Sequence, residues 1–228
     1  MNDLYQSEEW KSLNKLDRAQ LLLVIEGLKK GSIIGGNWTS FMEVLKKTGL
    51  EYRLNTNKFL LNPVVVVAKI EDLQEQNKQY LNLPNNANEN DFHKISGWFL
   101  GYPKCCTEEY VKERTSEQKI AEEKGPRYLS YLFGQELEHL IKTEGSYPRV
   151  FDYRPPSFTP CGINCLESIE LLSSWKEAIN CLDPEAGNAL KYFNRAAYPQ
   201  RLVHKKYLIQ EGQKRNADYK TLLLRRNA

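Results

Sequence analysis

The chain has 228 residues, 41% hydrophobic and 27% charged, with a formal net charge of +3. This describes one soluble globular domain and excludes a disordered or fibrous chain. The longest apolar runs, Leu21 to Ile25 and Val64 to Ala68, are too short to cross a bilayer, and the polar start MNDLYQSEEW is unlike a signal peptide, so the expected compartment is the cytoplasm.

Asp17 reads as an N-cap with Gln20 at the capping-box position; Leu21, Val24, Ile25 and Leu28 follow at helical spacing, and Gly31 stops the helix. Asn37 reads as the cap of a second helix, with Phe41, Val44 and Leu45 on one face and Gly49 after it. The period then shortens to two at Leu50, Tyr52 and Leu54. A polar turn at Asn55 to Asn57 leads into KFLLNPVVVVAKI, which predicts a hairpin whose Pro63 argues for an edge strand or a bulge. Helical signals return at Asp72 to Leu81, then at Phe92, Ile95 and Phe99 with Gly101 as the stop, separated by a loop from Asn82 to Asn90. Gly125-Pro126 divides two further helices, the second carrying Leu129, Leu132, Phe133, Leu137, Leu140 and Ile141 on one stripe. Tyr147 to Phe158 is a Pro-rich connection with room for one strand. A helix is expected from Pro160 to about Asn180, another from Asp183-Pro184, and a last one from Pro199. The expected class is α+β, predominantly helical with a small β-hairpin or sheet near residues 50–70. Residues 1–190 read as one domain, and residues 191–228 as a basic helical extension packed on it.

Four of the five cysteines form two tight pairs, Cys105-Cys106 in GYPKCC and Cys161 with Cys165 in TPCGINC. In a reducing compartment clustered cysteines read as metal-binding or catalytic, and an odd count cannot all pair. Each pair closely follows a proline, and Thr159 is a natural N-cap, so both pairs are expected in the first turns of helices. A thiol there ionises more readily, and the thiolate is both nucleophile and metal ligand. Four sulfurs suit tetrahedral zinc or an iron–sulfur cluster; a metal-free thiol pair or plain packing stand beside that reading. The adjacent pair is faintly similar to the cysteine-rich modules of heterodisulfide reductases, whose upstream cysteine and CxxC this chain lacks. Cys181, after Ile179 on an apolar helix end, is expected in the core.

The segment HKISGWFLGYPKCC together with PCGINCLES resembles an uncharacterised, largely archaeal family with a Gly-Tyr-Pro-x-Cys-Cys signature and a later Pro-Cys-x-x-x-Cys. The resemblance spans about Asp91 to Ser168. It implies that the four cysteines belong together and brings no reaction with it. Members tend to carry a His just before the second pair, where this chain has Phe158-Thr159.

His93, one helix ahead of the first pair, is a candidate ligand or general base, against the reading of an ordinary helix histidine. With Cys105 and Cys106 it completes the candidate catalytic set. Arg154, in the loop before the second pair, is a candidate carboxylate or phosphate anchor or the partner of an acid such as Asp152. Ser168 shares the face of Cys165, either lining the site or packing. His139 reads as a surface or core-edge residue and His204 as a solvated one. No Walker A loop, Rossmann fingerprint or nucleophile elbow is present.

Residues 191–228 carry ten Lys or Arg against two acids, +8, while the other 190 carry 22 against 27, −5. Tyr192, Tyr198, Tyr207 and Tyr219 interleave these cations. The pattern is either a solvated amphipathic helix or a contact for RNA or another polyanion, with Lys205 and Lys206 as candidate anion-binding residues. The sequence therefore predicts a cytoplasmic protein with a four-cysteine site for zinc or an iron–sulfur cluster. A metal-free thiol enzyme, or an RNA-binding module with structural cysteines, remain beside it.

Overall fold

The computed structural model describes residues 2–34, 38–55, 64–84, 86–112, 139–140 and 148–197. Helices α1 (Asn2–Gln6), α2 (Glu8–Lys11) and α3 (Lys15–Ile25) come first. Strand β1 (Gly31–Ile34), helix α4 (Trp38–Thr48) and strands β2 (Glu51–Asn55) and β3 (Val64–Ala68) follow. Helices α5 (Ile70–Leu81) and α6 (Glu89–Phe99) lead to α7, helical over residues 104–112. A 3-10 turn at Arg149–Tyr153 precedes α8 (Leu166–Leu182) and α9 (Pro184–Tyr192), which runs into a π-helical turn at Phe193–Ala197. The class is α+β, predominantly helical around one three-stranded antiparallel sheet. Among the described residues no helix is long and apolar enough to cross a membrane.

Helix α3 is buried almost throughout, from Asp17 to Val24. Its N-cap is Asn14, whose side chain accepts the Leu16 N–H at 2.9 Å. Asp17 is therefore not the cap; it sits in the first turn, where a carboxylate suits the positive helix end. Gly31 is not the stop either. The helix ends at Ile25, and Gly27, at φ 72°, takes the left-handed conformation that turns the chain away. Gly31 instead opens β1, a strand the residue pattern does not announce. There is no room for a side chain at this position, because a Cβ would sit 2.1 Å from the Phe99 ring.

The sheet order is β1-β3-β2, and β3 pairs antiparallel with both neighbours. The strand that starts one residue past Pro63 is therefore the central one, not an edge. A proline just ahead of a strand withdraws no ladder hydrogen bond from it. Covering both faces explains the unbroken valine run. Val65 and Val67 join the core formed with α3, α4, α8 and α9, while Val66 and Ala68 pack with Leu73, Phe99 and Leu100.

Asp183 ties the N-terminal helices to α9. It caps α9 by accepting the Ala186 N–H at 3.1 Å, takes Trp10 Nε1 at 2.7 Å, and pairs with Arg18 through Nε at 2.8 Å and Nη2 at 2.5 Å. The connection before the second cysteine pair forms the 3-10 turn rather than a strand. Its Asp152 pairs with Arg195. The expected features at Asn37, Asn57, Gly125-Pro126, Leu129 to Leu137, Ile141 and Pro199 lie outside the described residues.

Candidate metal centre

Two stops in the chain aim the first pair. Gly101, at φ 73°, closes α6 while the Tyr102 N–H returns to the Gly97 carbonyl at 2.9 Å. Pro103 then leads into α7, and its carbonyl accepts the Thr107 N–H at 3.0 Å. Cys105 and Cys106 thus lie in the first turn of α7. The second pair is placed differently from the sequence expectation. No helix starts at Pro160. Cys161 stands just ahead of a turn closed by the Cys165 N–H on the Gly162 carbonyl at 3.3 Å and anchored in the core by Ile163. Cys165 is the N-cap of α8. The aromatics three residues ahead of each pair, Tyr102 and Phe158, stack with centroids 4.6 Å apart and so clamp the two segments together.

The four sulfurs all lie within 4.8 Å of one another. Cys105 Sγ is 3.8 Å from Cys106, 3.6 Å from Cys165 and 3.9 Å from Cys161, and Cys106 is 3.7 Å from Cys165. The site is buried on one side and open on the other: Cys106 is buried, while the remaining three are half-buried. Cys106 Sγ accepts the Cys161 N–H at 3.3 Å and lies 3.0 Å from the Ser168 hydroxyl, so Ser168 lines the site. The Cys105 thiol donates to the exposed Glu167 carboxylate at 2.6 Å. Glu167 was not singled out in the sequence; its position two after Cys165 was the available signal.

In the protonated cluster the thiols resist ionisation. Burial, then the Glu167 bond, pushes Cys105 up. Burial raises Cys106 against the opposing pull of Ser168 and the Cys161 N–H, and burial with the charge of Cys106 raises Cys161 to about 12. Only Cys165 is lowered: burial opposes its anion, but the Ser168 hydroxyl and N–H and the neighbouring thiols outweigh it. Proximity to a helix start therefore does not activate Cys105 or Cys106. Crowding four sulfurs makes each prospective anion face its neighbours, a penalty that a bound cation reverses. Four close, soft donors fit a thiolate-bound metal ion.

The other candidates fall elsewhere. His93 meets Tyr110 edge-on at 5.1 Å and is not one of the four clustered groups. Arg154 is buried, donating to the Phe158 carbonyl at 2.6 Å and to Asn194 Oδ1 at 3.2 Å, so it braces the segment before Cys161. His139 is exposed. Cys181 is exposed, not core: two residues past buried Ile179, it faces the opposite side of α8. Lys205, Lys206 and His204 lie outside the described residues. Lys29, also missed in the sequence, is buried, its ammonium 5.7 Å from the Tyr102 ring centroid and 5.3 Å from that of Trp175.

Comparison with family models, with curated proteins and with solved structures returned no match.

Proposed function

We propose that the protein binds one Zn²⁺, held tetrahedrally by the thiolates of Cys105, Cys106, Cys161 and Cys165. The supporting observation is the sulfur spacing. Two thiolates on one zinc, each about 2.3 Å away, stand about 3.8 Å apart at the tetrahedral angle. Four of the six sulfur pairs here are separated by 3.6–3.9 Å. An iron–sulfur cluster distributes its thiolates over different irons, which calls for a wider frame. Four protein ligands leave no open position, so the zinc is structural, joining the starts of α7 and α8 and the turn between Cys161 and Cys165. A reducing compartment such as the cytoplasm suits this centre. The resemblance to the Gly-Tyr-Pro-x-Cys-Cys family extends the proposal, giving its members the same centre. The basic segment 191–228 is proposed, on charge alone, as a contact for RNA or another polyanion.

Elemental analysis and a visible spectrum of anaerobically purified protein test the reading. One zinc per chain in a colourless sample is expected, with loss of that zinc in Cys106→Ser. Iron with sulfide and a brown colour would favour the cluster. Protein that neither retains nor takes up metal would favour a metal-free thiol centre, for which lowered Cys165 at the start of α8 is the specific support.

A further inference from the structure

We propose that Cys105 is the sulfur at which this centre is opened: a hydroperoxide oxidises Cys105, Cys165 closes a disulfide onto it, and the bound metal is set free. The proposal rests on the zinc reading above and adds a modification site, its chemical reagent and the order of events.

The four sulfurs differ in what touches them. Cys106 is 2% exposed and is held by the Cys161 N–H and the Ser168 hydroxyl. Such donors stabilise a thiolate and draw its lone pairs away from an oxidant. Cys165 caps α8, where the positive helix end does the same. Cys161 is half-buried with its sulfur against Cys105. At Cys105 the neighbour is a carboxylate, Glu167 Oε2, at 2.6 Å. A carboxylate only accepts. Once Cys105 has given up its proton to become a ligand, this contact becomes one anion facing another, with nothing donated in return. Cys105 is then the sulfur of the four that faces a carboxylate. It also sits on the open side, beside an exposed residue, where a solute arrives from water.

The partner follows from distance and geometry. Cys165 is the nearest sulfur, at 3.6 Å. Cys106, at 3.8 Å, is adjacent in sequence. Neighbouring Cα atoms are about 3.8 Å apart across a trans peptide, below the usual disulfide range of about 4.4–6.8 Å. The Cys105 thiolate attacks the distal oxygen of the peroxide, the O–O bond breaks, and the alcohol or water leaves with a proton. Cys105 is now a sulfenic acid. The Cys165 thiolate attacks that sulfur, forming the S–S bond and expelling hydroxide, which takes a second proton as water. Two thiolates, one hydroperoxide and two protons give one disulfide, one alcohol (or water) and one water. With two of four ligands consumed, the pair Cys106 and Cys161 no longer retains the ion.

The test uses the full chain as Cys181→Ser, which removes the exposed fifth thiol, loaded with zinc alone. Zinc content is measured first. Hydrogen peroxide is then added in the presence of a chromogenic chelator, and samples are alkylated and mapped by peptide mass. One zinc should be released per chain, in step with a disulfide joining the Cys105 and Cys165 peptides, and reductant with fresh zinc should restore the starting state. Glu167→Gln should leave the zinc stoichiometry unchanged and slow release at least threefold. A first disulfide that excludes Cys105, or unchanged release in Glu167→Gln, overturns the proposal while leaving the zinc centre standing. A chain that binds no zinc before peroxide is added overturns the centre and this proposal with it.

Discussion

Lys29 behaves unlike an ordinary lysine. Its ammonium has two aromatic faces and the Ser32 hydroxyl at 3.4 Å, which in turn donates to Gln20. Burial pushes its pKa down from 10.5 to about 7. The unfolded chain keeps the proton up to about 10.5 and the folded chain releases it above about 7, so the unfolded state binds more protons between those values. Stability therefore rises with pH across that window, by at most about 5 kcal/mol. Urea unfolding at pH 6, 8 and 10 should show Lys29→Met more stable than the parent at pH 6, with the gap closing by pH 10; parallel curves would mean that Lys29 stays charged when folded. Cys181 gives a second residue-level expectation. Its thiol should react with iodoacetamide in native, zinc-loaded protein while the other four are protected, as read by peptide mass. The four clustered cysteines were legible because rare, chemistry-bearing residues stand in tight pairs. Lys29 and Glu167 were not, because a lone lysine or glutamate acquires its meaning only from what folds around it. Cys181 was misread because an apolar neighbour two positions away on a helix is on the other face.

Elements act on the centre through their spacing. Helices α6 and α7 approach so closely at Gly97 that a Cβ there would lie 2.4 Å from Thr107 Oγ1. Thr107 follows Cys106 directly, so Gly97→Ala should tilt α7 and weaken zinc binding at least tenfold in a chelator competition, although no ligand is altered. Unchanged affinity would show that α7 yields without moving its cysteines. At the other end of the fold, Arg18 and Asp183 form a buried pair. Breaking such a pair from one side costs about 3–5 kcal/mol, so Arg18→Met should lower the denaturation midpoint accordingly, with zinc stoichiometry retained. The element pattern was readable where local chemistry decides it. Asp183-Pro184 opens α9 as expected, and Gly101 closes α6. It failed at the start of α8, where Pro160 and Thr159 imitate a helix start but the centre is built from an extended turn. It failed again at β1, whose Gly31 is dictated by the Phe99 ring from another part of the chain.

Across the whole molecule the sheet divides the interior into two apolar clusters, and the centre belongs to the larger one through Cys106. Zinc removal should therefore be felt as loss of global stability. Free zinc about four decades above its Kd contributes about 5 kcal/mol, which for a domain of this size moves Tm by roughly 10–20 °C. Calorimetry before and after a strong chelator should show that drop and its recovery on re-addition; an unchanged Tm would make the metal incidental to the fold. The charge division between residues 1–190 and 191–228 gives the remaining expectation. RNA binding that weakens with salt, and whose salt dependence flattens in the quadruple alanine variant of Lys205, Lys206, Lys214 and Arg215, would assign the tail to a polyanion. Binding absent near physiological salt would make it a solvated surface. The class was legible from periodicity alone, whereas the position of β3 at the sheet centre was hidden by Pro63, a local signal that two covered faces override.

Cys105 and Cys165 are 60 residues apart in the chain, and that separation is also an interval of time. At about 5–20 residues per second, the second pair leaves the ribosome roughly 3–12 seconds after the first. Throughout that wait Cys105 and Cys106 are a bare dithiol on a growing chain, exposed to any oxidant or stray ion. On the zinc reading, metal capture waits for the second pair rather than seeding the fold, and the supply that matters is the one present when α8 emerges.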